Sequence, residues 1–203
     1  MTITARVLQR VQKTPRGQPF TPNALLKYGG RAAVDQVLSR LAQHGKIVRL
    51  MRGVYVRPEE NRFIGQVQPD PFKVAEVIAR KTHAKVQVNG AEAARQFGLT
   101  TQVPTRPIFL TTGRTKKFTV GNLEINLKHV SSRKLPFPVN SKVGVALLAL
   151  WHLGKKQVDV ETLKTIKKKL SIKDFEKLIS STEHMPAWLI KIVMQYEKEI
   201  INV

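Results

Sequence analysis

Six residues within ten positions carry the chemistry this sequence offers most openly: Arg31, Ala32, Asp35, Gln36, Ser39 and Arg40. Val34, Val37, Leu38 and Leu41 stand among them at i, i+3, i+4 and i+7, the spacing of an apolar stripe on a helix. The six therefore share the opposite, wet face. None forms a nucleophile–base pair; what they share is small size or hydrogen bonding. A guanidinium such as that of Arg31 matches O6 and N7 of guanine, and an amide such as that of Gln36 matches N6 and N7 of adenine. Arg49 and Arg52, downstream, and Arg16 and Thr21, upstream, complete a candidate DNA-contacting set, with Arg52 supplying phosphate or minor-groove contact from a turn. The competing reading of the same helix is an ordinary solvated face.

Chemistry of other kinds has no such pattern. His44, His83, His129, His152 and His184 never pair at ligand spacing, and no HExxH occurs. Ser131-Ser132 and Ser180-Ser181 lack a nucleophile-elbow context, and no phosphate-binding glycine loop is present. The 14 acidic residues form no cluster of the kind that holds Mg²⁺ for a nuclease. The expectation is a protein that is not an enzyme and carries no metal or cofactor. Cysteine is absent, which excludes disulfides and thiolate sites and fits a cytoplasmic protein. No apolar run approaches the roughly 20 residues of a spanning helix, and no charged segment precedes an apolar one as in a signal peptide.

The elements that would position the candidate residues follow in chain order. Residues 2–14 read as a helix with the stripe Ile3, Val7, Leu8 and Val11. A short helical segment starts at Thr21-Pro22, with Thr21 as N-cap and Pro22 at the first helical position, and stops at Gly29-Gly30. The helix from Arg31 to about His44 follows. Gly45 then introduces alternation, with Ile47, Arg49 and Met51 against Val48 and Leu50, and Arg52-Gly53 turns the chain into Val54-Tyr55-Val56. Helix, turn, helix, hairpin is the order of a winged helix-turn-helix.

The fold class expected is α+β: residues 1–60 as the winged helix, 61–69 as a linker, and 70–203 as an α/β domain with a small mixed sheet. Its helical tail begins at about residue 141. In the second domain a helix starts at Asp70-Pro71, a short strand covers 85–88, an alanine-rich helix covers 91–97, and strands cover 108–111, 117–120 and 123–130. Glu124, Asn126 and Lys128 are expected on a wet face of the last strand. The helix 141–153 is apolar nearly all round; 159–170 is amphipathic with Lys164, Lys167, Lys168 and Lys169 outside; helices over 174–179 and 187–201 follow.

Charge bears on partners. The chain of 203 residues has a formal net charge of +21, which points to a polyanion. Residues 1–60 carry +8, residues 61–138 carry +9 and residues 139–203 carry +4. Arg95, Arg106, Arg114, Lys116, Lys117, Lys128, Arg133 and Lys134 therefore constitute a second candidate basic surface, continuing the DNA-binding face along flanking phosphates. A solvated surface that aids solubility is the alternative. The absence of a heptad or edge-strand signal leads to an expectation of a monomer that pairs only on an operator with inverted repeats.

Several short motifs in order give the chain a wider likeness. They are Phe20-Thr21-Pro22, residues 31–36 (RAAVDQ), Leu38-Ser39-Arg40-Leu41, Arg52-Gly53-Val54-Tyr55, residues 90–94 (GAEAA), residues 99–104 (LTTQVP) and residues 109–113 (FLTTG). Across about residues 1–150 the chain resembles the AbiEi-like antitoxins of bacterial type IV toxin–antitoxin, or abortive infection, systems. The resemblance implies an N-terminal winged helix that represses its own operon and a C-terminal domain that counters a nucleotidyltransferase toxin, directly or indirectly. The alternatives are a plain winged-helix regulator with no toxin partner, or a non-specific nucleic-acid-binding protein. An RNA-stacking mode is disfavoured by the 6% aromatic content.

Overall fold

The computed structural model describes every residue except 1, 64, 103–105, 132–134, 136–138, 202 and 203. The chain is α+β, with small sheets and a helical C-terminal part. It forms two compact units, Met1–Ala84 with Lys116–Asn126, and Lys85–Thr115 with Leu127–Val203.

In the first unit, helix α1 (Ile3–Gln12) starts at Thr2, whose hydroxyl accepts a hydrogen bond from the Ala5 amide. A 3₁₀ segment (Pro22–Tyr28) and helix α2 (Arg31–Gln43) follow. Thr21 stands at the N-cap of the 3₁₀ segment, as expected, but makes no side-chain capping bond. Strands β1 (Pro19–Phe20), β2 (Val48–Met51) and β3 (Val54–Val56) form an antiparallel sheet in the order β1–β3–β2. The strict alternation expected in β2 is absent, because a bulge between Arg49 and Met51 shifts its register. Val7, Val11, Leu25, Val34, Val37, Leu38, Ile47 and Tyr55 form one buried cluster. The apolar stripes of α1 and α2 thus face one another and the sheet, and burial of each such side chain contributes about 1.5–3 kcal/mol. Phe20 stacks on Tyr55 with ring centroids 6.1 Å apart, which draws β1 onto β3.

Two features of this unit depart from the sequence reading. Residues 61–69, expected as a linker, include the end of strand β4 (Glu59–Asn61) and all of strand β5 (Gly65–Val67), which pair antiparallel with Asn61 opposite Gly65, and Gly65 takes φ +70°. Val67 is the one large apolar residue of the two strands, so no alternation announces the hairpin. Helix α3 (Pro71–Arg80), capped by the Asp70 carboxylate on the Phe72 amide, packs on β1 and β3. Its buried residues are Val74, Ala75, Val77 and Ala79, and Ile78 is half-buried. Which surface covers them is a tertiary choice that periodicity does not encode.

Strands β6 (Val86–Val88), β7 (Ile108–Thr111), β8 (Lys116–Val120) and β9 (Leu123–His129) make a sheet in the order β6–β7–β9–β8. On β9 only Lys128 of the expected wet face is exposed; Glu124 and Asn126 are half-buried.

The second unit is built around helix α5 (Lys142–Leu153), in which Val143 through Leu150 are all buried. Helix α4 (Gly90–Gln96) lies closely against α5. Helices α6 (Val160–Lys167), α7 (Ile172–Ser180) and α8 (Ala187–Ile201) complete it, with α7 on α5 and α8 on α6. Asp159 and Thr162 form a reciprocal capping box at the start of α6. No helix among the described residues is long and apolar enough to cross a membrane.

Candidate nucleic-acid interface

The polar face of α2 is solvent-facing along its length. Ala32, Gln36, Ser39 and Arg40 are turned outward, while Val34, Val37 and Leu38 on the reverse are buried. The helix begins at Gly30 with no side-chain cap and no acidic residue in its first turn, so its first amide groups keep their positive end uncompensated. Arg31 does not project alone. Its Nε donates to Asp35 Oδ2 at 2.7 Å, one turn along the helix, and its NH1 donates to Asn23 Oδ1 at 3.5 Å. Asp35 is therefore the partner of Arg31 in this structure, and it fixes the direction of that guanidinium. Both side chains stay about half exposed, 55% and 43%.

The hairpin beside α2 carries Arg49 on β2 and Arg52 at the turn, both exposed. Gly53 closes this turn with φ +71°, a conformation that glycine adopts without a Cβ penalty. Arg16 is exposed in the turn after α1.

Two residues absent from the sequence-derived set brace this region. The Arg57 guanidinium, just past β3, donates to the Gln12 carbonyl and, at 2.7 Å, to the Thr14 carbonyl. It thereby satisfies acceptors left open where α1 ends. Lys81, the residue capping α3, donates from Nζ to the Gly53 carbonyl at 2.9 Å. Partial burial lowers the pKa of Lys81, and the like charges of Lys116 and Arg31 lower it further. The only hint of Lys81 in the sequence is its place at the end of a helix, and nothing local connects it to residue 53.

The second basic set is divided between the two units. Lys116 and Lys117, exposed at the start of β8, belong to the first unit; Arg95, Arg106, Arg114 and Lys128 belong to the second. Arg95 is engaged within α4. Its Nε and NH2 donate to the two carboxylate oxygens of Glu92, each at 2.7 Å. Arg133 and Lys134 lie outside the described residues, as do Val103 and Pro104 of the central motif.

The lysine face of α6 also has internal occupations. Lys164 bridges Glu161 at 2.7 Å and Glu199 at 3.3 Å. Lys167 stands 5.7 Å from the ring centroids of both Phe175 and Tyr196, which meet edge to face. Lys169 donates to the Gln96 carbonyl at 3.1 Å. This face braces the helices of the second unit. Among the described residues no three or more His, Asp or Glu side chains group so as to hold a metal ion.

The model of a family of unknown function, DUF6088, matches residues 6–178. No curated protein matches the sequence. Among solved structures, the RV2827C protein from Mycobacterium tuberculosis is similar at 15% identity and a TM-score of 0.44, covering 88% of this chain and 71% of its own.

Proposed function

We propose that this chain, which belongs to the DUF6088 family of unknown function, is a duplex-DNA-binding transcriptional regulator that acts by binding rather than by catalysis. In this reading the 3₁₀ segment and α2 are the helix-turn-helix pair, α2 enters the major groove, and β2–β3 is the wing. The observation that carries it is the solvent-facing row Ala32, Gln36, Ser39 and Arg40, held outward by the buried stripe and flanked by Arg49 and Arg52 on the adjoining hairpin. Gln36 reads a base, Arg40 and Arg49 meet phosphates, and Arg52 reaches the backbone or minor groove from the wing. The net charge of +21 supports a polyanionic partner. The protein works in the cytoplasm as a monomer that pairs on inverted repeats.

The test is titration of the region upstream of its own gene against mixed-sequence duplex across salt concentrations. Preference for the upstream DNA supports the reading, and Gln36→Ala should relax the preference at one base pair, by about 1–3 kcal/mol of discrimination. Equal affinity for both duplexes at every salt removes the sequence-specific role.

An antitoxin role is the second part of the proposal. It rests on the resemblance of residues 20–22, 31–36, 38–41, 52–55, 90–94, 99–104 and 109–113 to AbiEi-like antitoxins, and a second unit with its own core is compatible with it. The full chain, co-expressed with a nucleotidyltransferase encoded beside it, should restore growth. Continued toxicity in the presence of folded chain leaves a plain regulator.

A further inference from the structure

We infer that the second unit holds a binding cleft for a nucleoside monophosphate, with Lys142 and Lys169 on the phosphate and Phe97, Val145 and Leu170 against the base. These residues line one cleft of about 470 Å³. All of them belong to the second unit, so the site lies within one compact body and does not rest on the duplex-DNA reading. Small-molecule sites measure roughly 300–1,000 Å³ and combine an apolar lining with a few placed polar groups, which is the make-up found here. Phe97 caps the end of α4, Lys142 and Val145 stand in the first turn of α5, and Lys169 and Leu170 follow α6. Phe97 and Val145 are buried and Leu170 is half-buried, whereas both lysines are exposed.

The two cations define the ligand's charge. Lys169 donates from Nζ to the Gln96 carbonyl at 3.1 Å, and a Cβ at Gly98 would stand 3.0 Å from the same nitrogen. The end of α4 therefore holds this ammonium in place. A carbonyl is a neutral acceptor, so the bond fixes the group but leaves its charge, and two of its three donors, for another partner. Among the described residues no ion pair involves Lys142 or Lys169, and no carboxylate lines the cleft. Lys164, by contrast, is matched by Glu161 and Glu199. Two like charges on one cleft repel each other, and an anion bound by both removes that repulsion. A phosphate monoester carries about −1.5 to −2 at neutral pH, which matches two ammonium groups. A flat base attached to that phosphate covers the apolar lining, and an aromatic group such as Phe97 is a partner that every base can use.

The experiment is calorimetric titration of the full-length protein with AMP, GMP, CMP and UMP, and with inorganic phosphate and adenosine as the separate halves of the ligand. At least one of the four nucleotides should bind about tenfold more tightly than either half. Lys142→Gln and Lys169→Gln should each weaken that nucleotide about tenfold, the effect of losing one charge-assisted hydrogen bond. Lys142→Arg, which keeps the charge, and Lys191→Gln, an exposed lysine of α8 outside the cleft, should bind as the wild type does. Both glutamine substitutions fall at exposed positions, and an unchanged melting temperature shows that the fold is intact. Wild-type affinity in both glutamine variants puts the nucleotide elsewhere on this basic protein and overturns the inference. Inorganic phosphate binding as tightly as every nucleotide overturns it too, because the apolar lining then has no role. Absence of binding by all four nucleotides at about 1 mM overturns it outright and leaves the DNA reading untouched.

Discussion

Arg31 and Asp35 form an ion pair of 2.7 Å on the exposed face of α2, so the first cation of that face is already held by a neighbour one turn away. The pair does little for stability. Both side chains are about half exposed, and i,i+4 pairs of this kind contribute about 0.3–0.5 kcal/mol. Its effect is to aim the guanidinium, together with the longer bond to Asn23.

Asp35→Ala should therefore leave the urea midpoint almost unchanged and alter DNA binding. Removing one carboxylate frees Arg31 for a phosphate, so affinity for mixed-sequence duplex rises and the salt slope grows by up to about 0.9. A fluorescence titration at several salt concentrations reads both quantities. Unchanged affinity and slope would place Arg31 outside the DNA-contacting surface.

Gly90 is a test of how closely α4 and α5 approach. A Cβ there would lie 2.5 Å from the Cβ of His152 and 3.0 Å from the Leu148 carbonyl oxygen. Helix propensity alone favours alanine over glycine by about 0.5–1 kcal/mol. The clash involves a backbone carbonyl and a Cβ, neither of which swings aside, so overpacking should win. Gly90→Ala is expected to lower stability by about 1–3 kcal/mol, measured by urea unfolding. A midpoint at or above that of the wild type would mean the two helices can separate at no cost.

Glu92 gives a pH signature. The hydrogen bond from Arg95 holds its carboxyl below the ordinary 4.5, aided by Gln96 and by the Arg95 charge, and opposed by partial burial. A carboxylate whose pKa is lowered on folding stabilises the fold above its unfolded-state pKa. That contribution disappears as pH falls through the folded-state value. Glu92→Gln should thus be less stable than the wild type at neutral pH, by about 0.5–1 kcal/mol for a partly exposed pair. The difference should close as pH drops below 4.5. Urea midpoints of both proteins from about pH 7 to about pH 3 check this, and a gap that persists at the acid end would assign it to packing instead.

Much of the α+β organisation is legible in local pattern, because helices and strands are fixed by periodicity and by residues that cap or break them. Asp70-Pro71 opens α3, Asn89 opens α4, Ser141 opens α5 and Gly121-Asn122 turns β8 into β9, all where short-range hydrogen bonding and allowed dihedrals place them. The buried and exposed faces of α2 are equally plain, since a 3.6-residue repeat divides them without help from the rest of the chain. The polar hairpin β4–β5 carries no such repeat, so local pattern does not reveal it. The packing of α3 on β1 and β3, and the bond from Lys81 to Gly53, join segments whose separation in sequence gives no local signal. The occupations of Arg95, Lys164, Lys167 and Lys169 likewise depend on which side chains lie within a few ångströms once the helices pack. Composition counts the positive charges; tertiary structure decides which of them brace the protein, because charge pairing acts through space and not along the chain.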